Sequence, residues 1–514
     1  MVSMSIPKLK KVFVGRLQNN TMLISLSGFL LGLSHLHNNV WFLSLFGLVP
    51  FLYVVNSKNF QQQSVGKIFL NGWLFGLIFI GIAIVWFWGA YPLNWILDSK
   101  QTAAFVVFVV WMVTVATLSV IFGYLTIFAS WCARFDLWQL LVIPAVWVLS
   151  EYLRMWLFAI LTIAEPSLFG PHFSFGFLGY TLASNNFLLQ FADFGGVYTL
   201  SFIAVFINVA IYLLFKKTKQ KKKRNSFGIG IFCVFLMVAH LASEQIFTAI
   251  EKRSESSEIK VALLNTYFLR KGEEGALGVR EKYEVYKNLL QENQSRISDV
   301  DIIVFPESAN FIEKALVSGQ LENLGLATTT IVVDSKVRFS SEGKDRSTES
   351  VYYYTKEGGM DFVYDKQFLT PVGEYNPNIL NNFLSLVEEN NEKPPRFLYQ
   401  KGPIAKPIVR DDRIRTVSLL CSEIASPYFY KNAVKENEVD LLINLSSHAY
   451  TGRSPILFSQ VINMAKVHAV QNRKPFIQAT NAAPSFVVNK YGILVAESAR
   501  GEESMLVSYI KIGR

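Results

Sequence analysis

The chain has 514 residues, 51% of them apolar and only 17% charged, and a mean hydropathy of +0.30 argues against a purely water-soluble enzyme. Of the 49 Lys+Arg and 39 Asp+Glu, residues 1–250 hold 16 and 6, which leaves 33 of each for 251–514, so the whole net charge of +10 lies in the first half. Those basic residues flank apolar runs instead of forming a patch, which argues against nucleic acid as a partner. The three cysteines, Cys132, Cys233 and Cys421, provide no disulfide framework.

Apolar runs at 22–37, 40–55, 68–92, 102–131, 137–163, 188–215 and 227–249 are mostly near the ~20 residues that cross a bilayer core. They predict about seven transmembrane helices in a membrane domain over 1–250. The first two are short and abut at His35, His37, Asn38 and Asn39, so a re-entrant pair is the alternative to two spans. Lys8, Lys10, Lys11, Arg16, Lys58, Lys67, Arg134 and the cluster Lys216 to Arg224 all fall on one side of seven crossings. The positive-inside rule makes that side cytoplasmic. Within the fifth run, Glu151 and Arg154 lie three apart on one helical face, as a bundle-stabilising pair or as a headgroup contact.

From about 258 the pattern becomes short β-rich runs, Ile259–Leu264, Asp301–Phe305, Thr330–Val333, Val351–Tyr354, Arg415–Leu420, Asp440–Leu445 and Phe476–Thr480, interleaved with amphipathic stretches at 279–297 and 456–470. Strands alternating with helices predict an α/β layered domain over 258–512. It is large enough to bury its own core, and so needs the membrane half for location. Polar residues at strand ends are the candidates for chemistry: Glu307 in Phe305-Pro306-Glu307-Ser308, Lys366 in Tyr364-Asp365-Lys366, and Cys421 after Ser418-Leu419-Leu420. A carboxylate beside such a thiol can take its proton, and an ammonium can stabilise the oxyanion that forms. Taken singly, the cysteine reads as buried filler and the other two as solvated loop charges. No metal, P-loop or dinucleotide motif competes, so neither a cofactor nor a metal is expected. Segment 379–399, with Ile379, Leu380, Phe383, Leu384 and Val387, is either an amphipathic arm in lipid or a helix packed on the domain core.

Together these segments resemble the nitrilase superfamily, and the whole chain resembles its membrane-bound branch, the apolipoprotein N-acyltransferases. The resemblance rests on Phe305-Pro306-Glu307, on Tyr364-Asp365-Lys366 with its extension Pro371-Val372-Gly373-Glu374-Tyr375, and on Cys421-Ser422-Glu423. In the membrane half it rests on Trp41 to Leu52, Gly72 to Gly76, Trp147 to Trp156 and Gln190 to Asn208. It implies an α-β-β-α sandwich with Cys421 as nucleophile, Glu307 as general base, Lys366 as stabiliser of the tetrahedral intermediate, and Glu374 and Glu423 as supporting carboxylates. Four departures stand out: Ser422 where members carry Tyr; Asn444-Leu-Ser-Ser-His448-Ala-Tyr450 where they carry a Trp-Phe motif; Gln478-Ala-Thr-Asn481-Ala-Ala later; and no counterpart of their last transmembrane helix after Met505–Ile512. Tyr450 keeps an aromatic face with a polar tip at the altered motif, and His448 reads as a loop residue.

The resemblance further implies a multi-pass enzyme of the bacterial cytoplasmic (inner) membrane with its catalytic domain on the periplasmic side. Its expected reaction is N-acylation of the S-diacylglyceryl cysteine that opens a lipoprotein. A membrane phospholipid would be the acyl donor and a thioester the intermediate. The rivals are a membrane-anchored amidase or nitrilase using the same triad, and an inactive nitrilase-like scaffold.

Overall fold

The computed structural model describes the chain except residues 1–19, 95–96, 98, 136, 219–237, 244, 252–256, 270–274, 340–346, 388–398, 405–413 and 514. Among the described residues, five helical segments are long and apolar enough to cross a membrane: Asn38–Val55, Val65–Ala83, Lys100–Cys132, Gln139–Leu161 and Val197–Lys216. The first expected span is a shorter helix, α1 (Asn20–Leu33). Most of the seventh, with Cys233, and most of the basic cluster ending at Arg224 lie outside the described residues, as do the N-terminal lysines. Asn38–Val55 combines a 3-10 turn (Asn38–Leu45) with α2 (Val49–Val55), and α3 (Val65–Ala83) gives way to a second 3-10 turn at Val85–Ala90. The apolar run at 188–215 is broken at Gly196, whose φ of +63° suits a residue without a Cβ. A Cβ there would also meet the Gln471 side chain at 2.6 Å.

Helix α4 (Lys100–Cys132) is capped by Ser99, whose Oγ accepts from the Thr102 N–H at 3.3 Å. Its 33 residues measure about 50 Å, against about 30 Å for the bilayer core, so one end must stand clear of the lipid. In α5 (Gln139–Leu161), Glu151 and Arg154 are both buried and serve the bundle. Glu151 accepts from Trp147 Nε1 at 3.0 Å and from the Leu178 N–H at 2.7 Å. Arg154 donates to the Phe175 carbonyl at 3.2 Å and lies over the Phe177 ring. Helix α6 (Val197–Thr218) follows.

The second half is one sheet bent on itself. Strands β1 (Ser257–Thr266), β2 (Ile302–Val304) and β3 (Ile331–Phe339) run parallel; β4 (Ser347–Thr355) and β5 (Gly359–Asp365) continue antiparallel. Strands β6 (Thr416–Leu420), β7 (Leu441–Ser447) and β8 (Phe476–Asn481) form a second parallel set, extended antiparallel by β9 (Phe486–Val488) and β10 (Leu494–Glu497). The sets join where β8 pairs β1 at Asn265↔Thr480, and β11 (Ser504–Ile512) lies antiparallel on β1. Alternation along each strand sorts the layers. Val261, Leu263, Val304, Val333 and Val351 share a core with Leu420, Ile443 and Leu445 of the second set, and the Tyr353 hydroxyl reaches across to Thr416 and Ser418 at 2.5 and 2.8 Å. The opposite residues, Ala262, Leu264, Ile303, Val332 and Tyr352, cluster with Tyr286, Leu290, Phe311 and Ile312 of helices α7 (Val279–Glu292) and α8 (Phe311–Val317). With α10 (Phe429–Glu436) and α11 (Pro455–Asn472) on the other side, the domain is an α-β-β-α sandwich. Strands β5, β9 and β10 carry too little apolar alternation to be read from sequence.

Helix α11 seats this sandwich on the membrane half. Gln460 donates to the His35 and Ala83 carbonyls at 3.2 and 2.8 Å, Asn463 to Asn38 at 2.9 Å, and Arg473 pairs with Asp193 at 3.1 Å. Helix α9 (Asn378–Val387) also leans on the membrane half instead of the sandwich core, with Leu380 and Leu384 packed on Leu93, Leu97, Ala103, Val106 and Val107. The remainder of the expected arm, from 388, lies outside the described residues. Closest of all is Gly89 against the 449–452 turn, where an added Cβ would sit 2.0 Å from the Thr451 carbonyl oxygen. Gly89→Ala is therefore expected to force the halves apart at this point, at an overpacking cost of about 1–3 kcal/mol. The measurement is the melting temperature of the purified protein in detergent, and an unchanged value would show that the contact yields freely.

Candidate active site

Three strand ends of the sandwich converge on one point. Strand β2 ends at Val304 and Phe305-Pro306 carries Glu307 past the sheet edge; β5 ends at Asp365 directly before Lys366; β6 ends at Leu420 directly before Cys421. Lys366 is fully buried, and its Nζ lies 2.7 Å from Glu307 Oε1 and 2.5 Å from Glu374 Oε1. Glu374 is held in turn by the Thr370 N–H at 2.7 Å. Burial alone would lower the Lys366 ammonium, but the two carboxylates beside it hold it well above the usual lysine range. Burial pushes the Glu307 carboxyl up, against the pull of Lys366.

Cys421 stands at the turn from β6 into a 3-10 helix (Cys421–Ala425) with φ +41°, a left-handed conformation that costs a non-glycine residue about 1–2 kcal/mol. Its thiol lies 3.7 Å from the Ser447 carbonyl, receives the Ser446 hydroxyl at 3.6 Å, and interacts with the Glu307 carboxyl. Burial, reinforced by Glu307 and opposed by Lys366, pushes the thiol up to about 12. It is therefore protonated at neutral pH.

Glu423 ties the two neighbouring loops together. Its Oε1 accepts from the Tyr364 hydroxyl at 2.5 Å and from the N–H groups of Gln367 and Phe368 at 2.8 and 3.2 Å; its Oε2 accepts from the Leu420 N–H at 2.9 Å. Burial nevertheless raises this carboxyl to about 7. Ser422 donates to the Phe368 carbonyl at 2.7 Å, a second tie between the same loops. Tyr450 is 40% exposed and lines the cleft above the thiol together with His448. Burial, with Arg500 nearby, lowers His448 to about 4, so its ring is neutral at neutral pH.

The cleft has a volume of about 410 Å³. One wall holds Glu307, Glu374, Cys421 and Ser422. The others come from the membrane half, with Trp86, Val107, Val110, Thr114, Phe158 and Leu161 among them, and from Leu380 and Phe383 of α9. Sequence reasoning missed these apolar contributors because each resembles any other membrane or interface residue. It also missed Glu349, a fully buried acid on β4 whose carbonyl accepts from the Lys366 N–H at 2.9 Å. Burial, with Glu307 adding to it, pushes the Glu349 carboxyl up to about 8. A charged residue at an inward position of Ser347–Tyr354 was the available signal. Among the described residues no cluster of His, Cys, Asp and Glu is arranged to hold a metal ion.

Residues 27–210 match the family model described as the apolipoprotein N-acyltransferase N-terminal domain. Relatives named apolipoprotein N-acyltransferase align over most of their length. The protein from Rickettsia prowazekii is 25% identical, over 71% of this chain and 69% of its own; that from Geobacter metallireducens is 24% identical, over 78% and 75%; and that from Pasteurella multocida is 23% identical, over 84% and 83%. Among solved structures, a carbon-nitrogen hydrolase from Helicobacter pylori aligns with a TM-score of 0.36 at 16% identity, over 49% of this chain and 89% of that one. The chain is thus a membrane protein similar to the apolipoprotein N-acyltransferases over most of their length, with residues 27–210 matching their N-terminal domain.

Proposed function

We propose that this protein transfers a fatty acyl chain from a membrane phospholipid to the α-amino group of the S-diacylglyceryl cysteine at the start of a lipoprotein, through a thioester on Cys421. The observation that supports the reading is the cleft, where the Cys421 thiol and the Glu307 and Glu374 carboxylates that pair with Lys366 lie in one wall, and membrane helices and α9 supply the others. In this reading the membrane half, 1–250, brings the lipids, and the sandwich, 258–512, brings the chemistry. A hydrolase of small soluble amides has no use for such apolar walls.

In the first half-reaction Glu307 takes the Cys421 proton as the sulfur attacks the donor's ester carbonyl. The proton must move with the attack, because the thiol is not ionised beforehand. Lys366, kept cationic by Glu307 and Glu374, faces the oxyanion. The intermediate then expels the lysophospholipid alkoxide, which recovers the proton from Glu307 and leaves the thioester. In the second half-reaction the lipoprotein amine attacks the thioester, Glu307 takes the amine proton, and the thiol leaves reprotonated. Glu374 holds Lys366, Glu423 holds the two loops, and Tyr450 meets the incoming substrate at the rim.

Phospholipid alone is expected to add one acyl group to Cys421, read by mass spectrometry of the intact protein, and Cys421→Ala is expected to show no adduct and no transfer. Wild-type transfer by the alanine variant would overturn the covalent route. Lys366→Met is expected to slow acylation by about 10²–10³-fold. Because Glu307 acts as its carboxylate and its pKa is raised, activity should fall as pH drops through a value above the usual carboxylate range. Glu307→Gln should lose that limb along with most of the rate.

Removing the Glu423 side chain strands four buried donors, so Glu423→Ala is expected to destabilise the protein by about 1–3 kcal/mol or more and to slow acylation. Full activity and an unshifted melting temperature together would exclude the positioning role. For the periplasmic orientation, Lys356 lies in the exposed turn between β4 and β5. Lys356→Cys should react with a membrane-impermeant maleimide in intact spheroplasts, and labelling confined to lysed cells would reverse the topology.

A further inference from the structure

The 3-10 helix that presents Cys421 is held from both sides, and one side belongs to the membrane half. Its first turn is fixed within the sandwich by Glu423. Its far end is not. The Ala425 carbonyl accepts from the Ser174 N–H at 3.2 Å and from the Ser174 hydroxyl at 2.5 Å. The Ser426 hydroxyl meets His172 Nδ1 at 3.0 Å. His172 stacks on Phe429 with ring centroids 4.8 Å apart and lies 5.4 Å from the ring of Phe368, two residues past Lys366. Both Ser174 and His172 lie in the loop that follows α5, so they reach the site from the membrane half. The remaining contact, His468 Nε2 to the Ile424 carbonyl at 2.8 Å, comes from α11.

The direction of the Ser174 hydrogen bonds is determined. A carbonyl only accepts, so the Ser174 hydroxyl spends its one proton on Ala425. The Tyr180 hydroxyl, 2.8 Å from Ser174 Oγ, must then be the donor to Ser174. Ser174, Tyr180, Ala425 and Ser426 are all buried, so water offers no substitute partner. The chain Tyr180 to Ser174 to Ala425 thus acts on the backbone of a turn whose first residue, Cys421, is in an unfavourable conformation and needs surroundings that hold it there.

We propose that Ser174, oriented by Tyr180 and flanked by His172, is a positioning residue through which the membrane half holds the nucleophile turn in its reactive geometry. The membrane half then does more than deliver lipid, because the sandwich alone, although His468 holds the Ile424 carbonyl, lacks the Ser174 clamp on Ala425. The inference rests on the reading of Cys421 as nucleophile.

The test uses the full-length protein in nanodiscs and measures the rate of Cys421 alkylation by iodoacetamide, with peptide mass spectrometry to separate it from Cys132 and Cys233. Ser174→Ala should lower this rate by about 10- to 100-fold, with kcat for acyl transfer falling in parallel and KM unchanged. Ser174→Thr, which keeps the hydroxyl, should recover most of the loss, and Tyr180→Phe should show a smaller loss in the same sense. Cys132, buried in α4, reports folding and should stay unreactive throughout. An unchanged or faster Cys421 rate in Ser174→Ala overturns the proposal. So does a loss accompanied by exposure of Cys132, or one that Ser174→Thr fails to recover, since either marks a merely structural role. Alkylation consumes no lipid, so a failure of the acyl-transfer reading would leave this measurement standing on its own.

Discussion

Everything at this site depends on an ammonium ion buried between two carboxylates. Removing Lys366 from water is costly, and only the paired charges of Glu307 and Glu374 make it tolerable. Burial, reinforced by Glu307 and opposed by Lys366, keeps the Cys421 proton on sulfur. In the proposed mechanism a thiol in this setting waits until a substrate carbonyl brings developing negative charge close to Lys366. The same electrostatics that suppress idle reactivity favour the reacting state.

The second constraint is mechanical. Three loops from three strand ends must meet within hydrogen-bonding range, and none is long enough to organise itself. Glu423 solves this with one side chain that accepts from the loop behind Lys366 and from the strand behind Cys421. The halves are joined with comparable closeness: amide side chains of α11 bond to backbone carbonyls of the membrane helices, and Gly89 abuts the 449–452 turn with no room for a methyl group. An apolar cleft between two rigid bodies keeps its shape only if they are fixed in this way, and the shape decides whether water or a lipid reaches the thiol.

The departures from the family pattern are accommodated locally. Ser422 donates to the Phe368 carbonyl, so a small hydroxyl serves as a tie between loops. Tyr450 takes a rim position on the cleft, where an aromatic face meets apolar walls and a hydroxyl faces the polar end. His448 is buried beside Phe458 and neutral, in keeping with a loop residue and not with a base.

The linear order of residues was enough to identify the apolar spans, the seven β-rich runs and the motif residues Glu307, Lys366, Glu374, Cys421 and Glu423. The spans and strands leave a mark at short range, hydropathy over twenty residues or alternation over five, and Glu307, Lys366 and Cys421 stand at strand ends, whereas Glu374 and Glu423 were legible only through the resemblance of their motifs. Glu349 left a weaker mark, and Ser174, His172 and the cleft walls of α4 and α9 left none. Their significance lies in which carbonyl, ring or thiol from a segment hundreds of residues away comes to rest beside them. Ser174 and Ala425 are 251 positions apart, and no periodicity or spacing spans that separation. Composition and local pattern determined what the two halves are made of, whereas only their packing against each other decided that a membrane loop would bond the Cys421 turn and that membrane helices would wall the cleft.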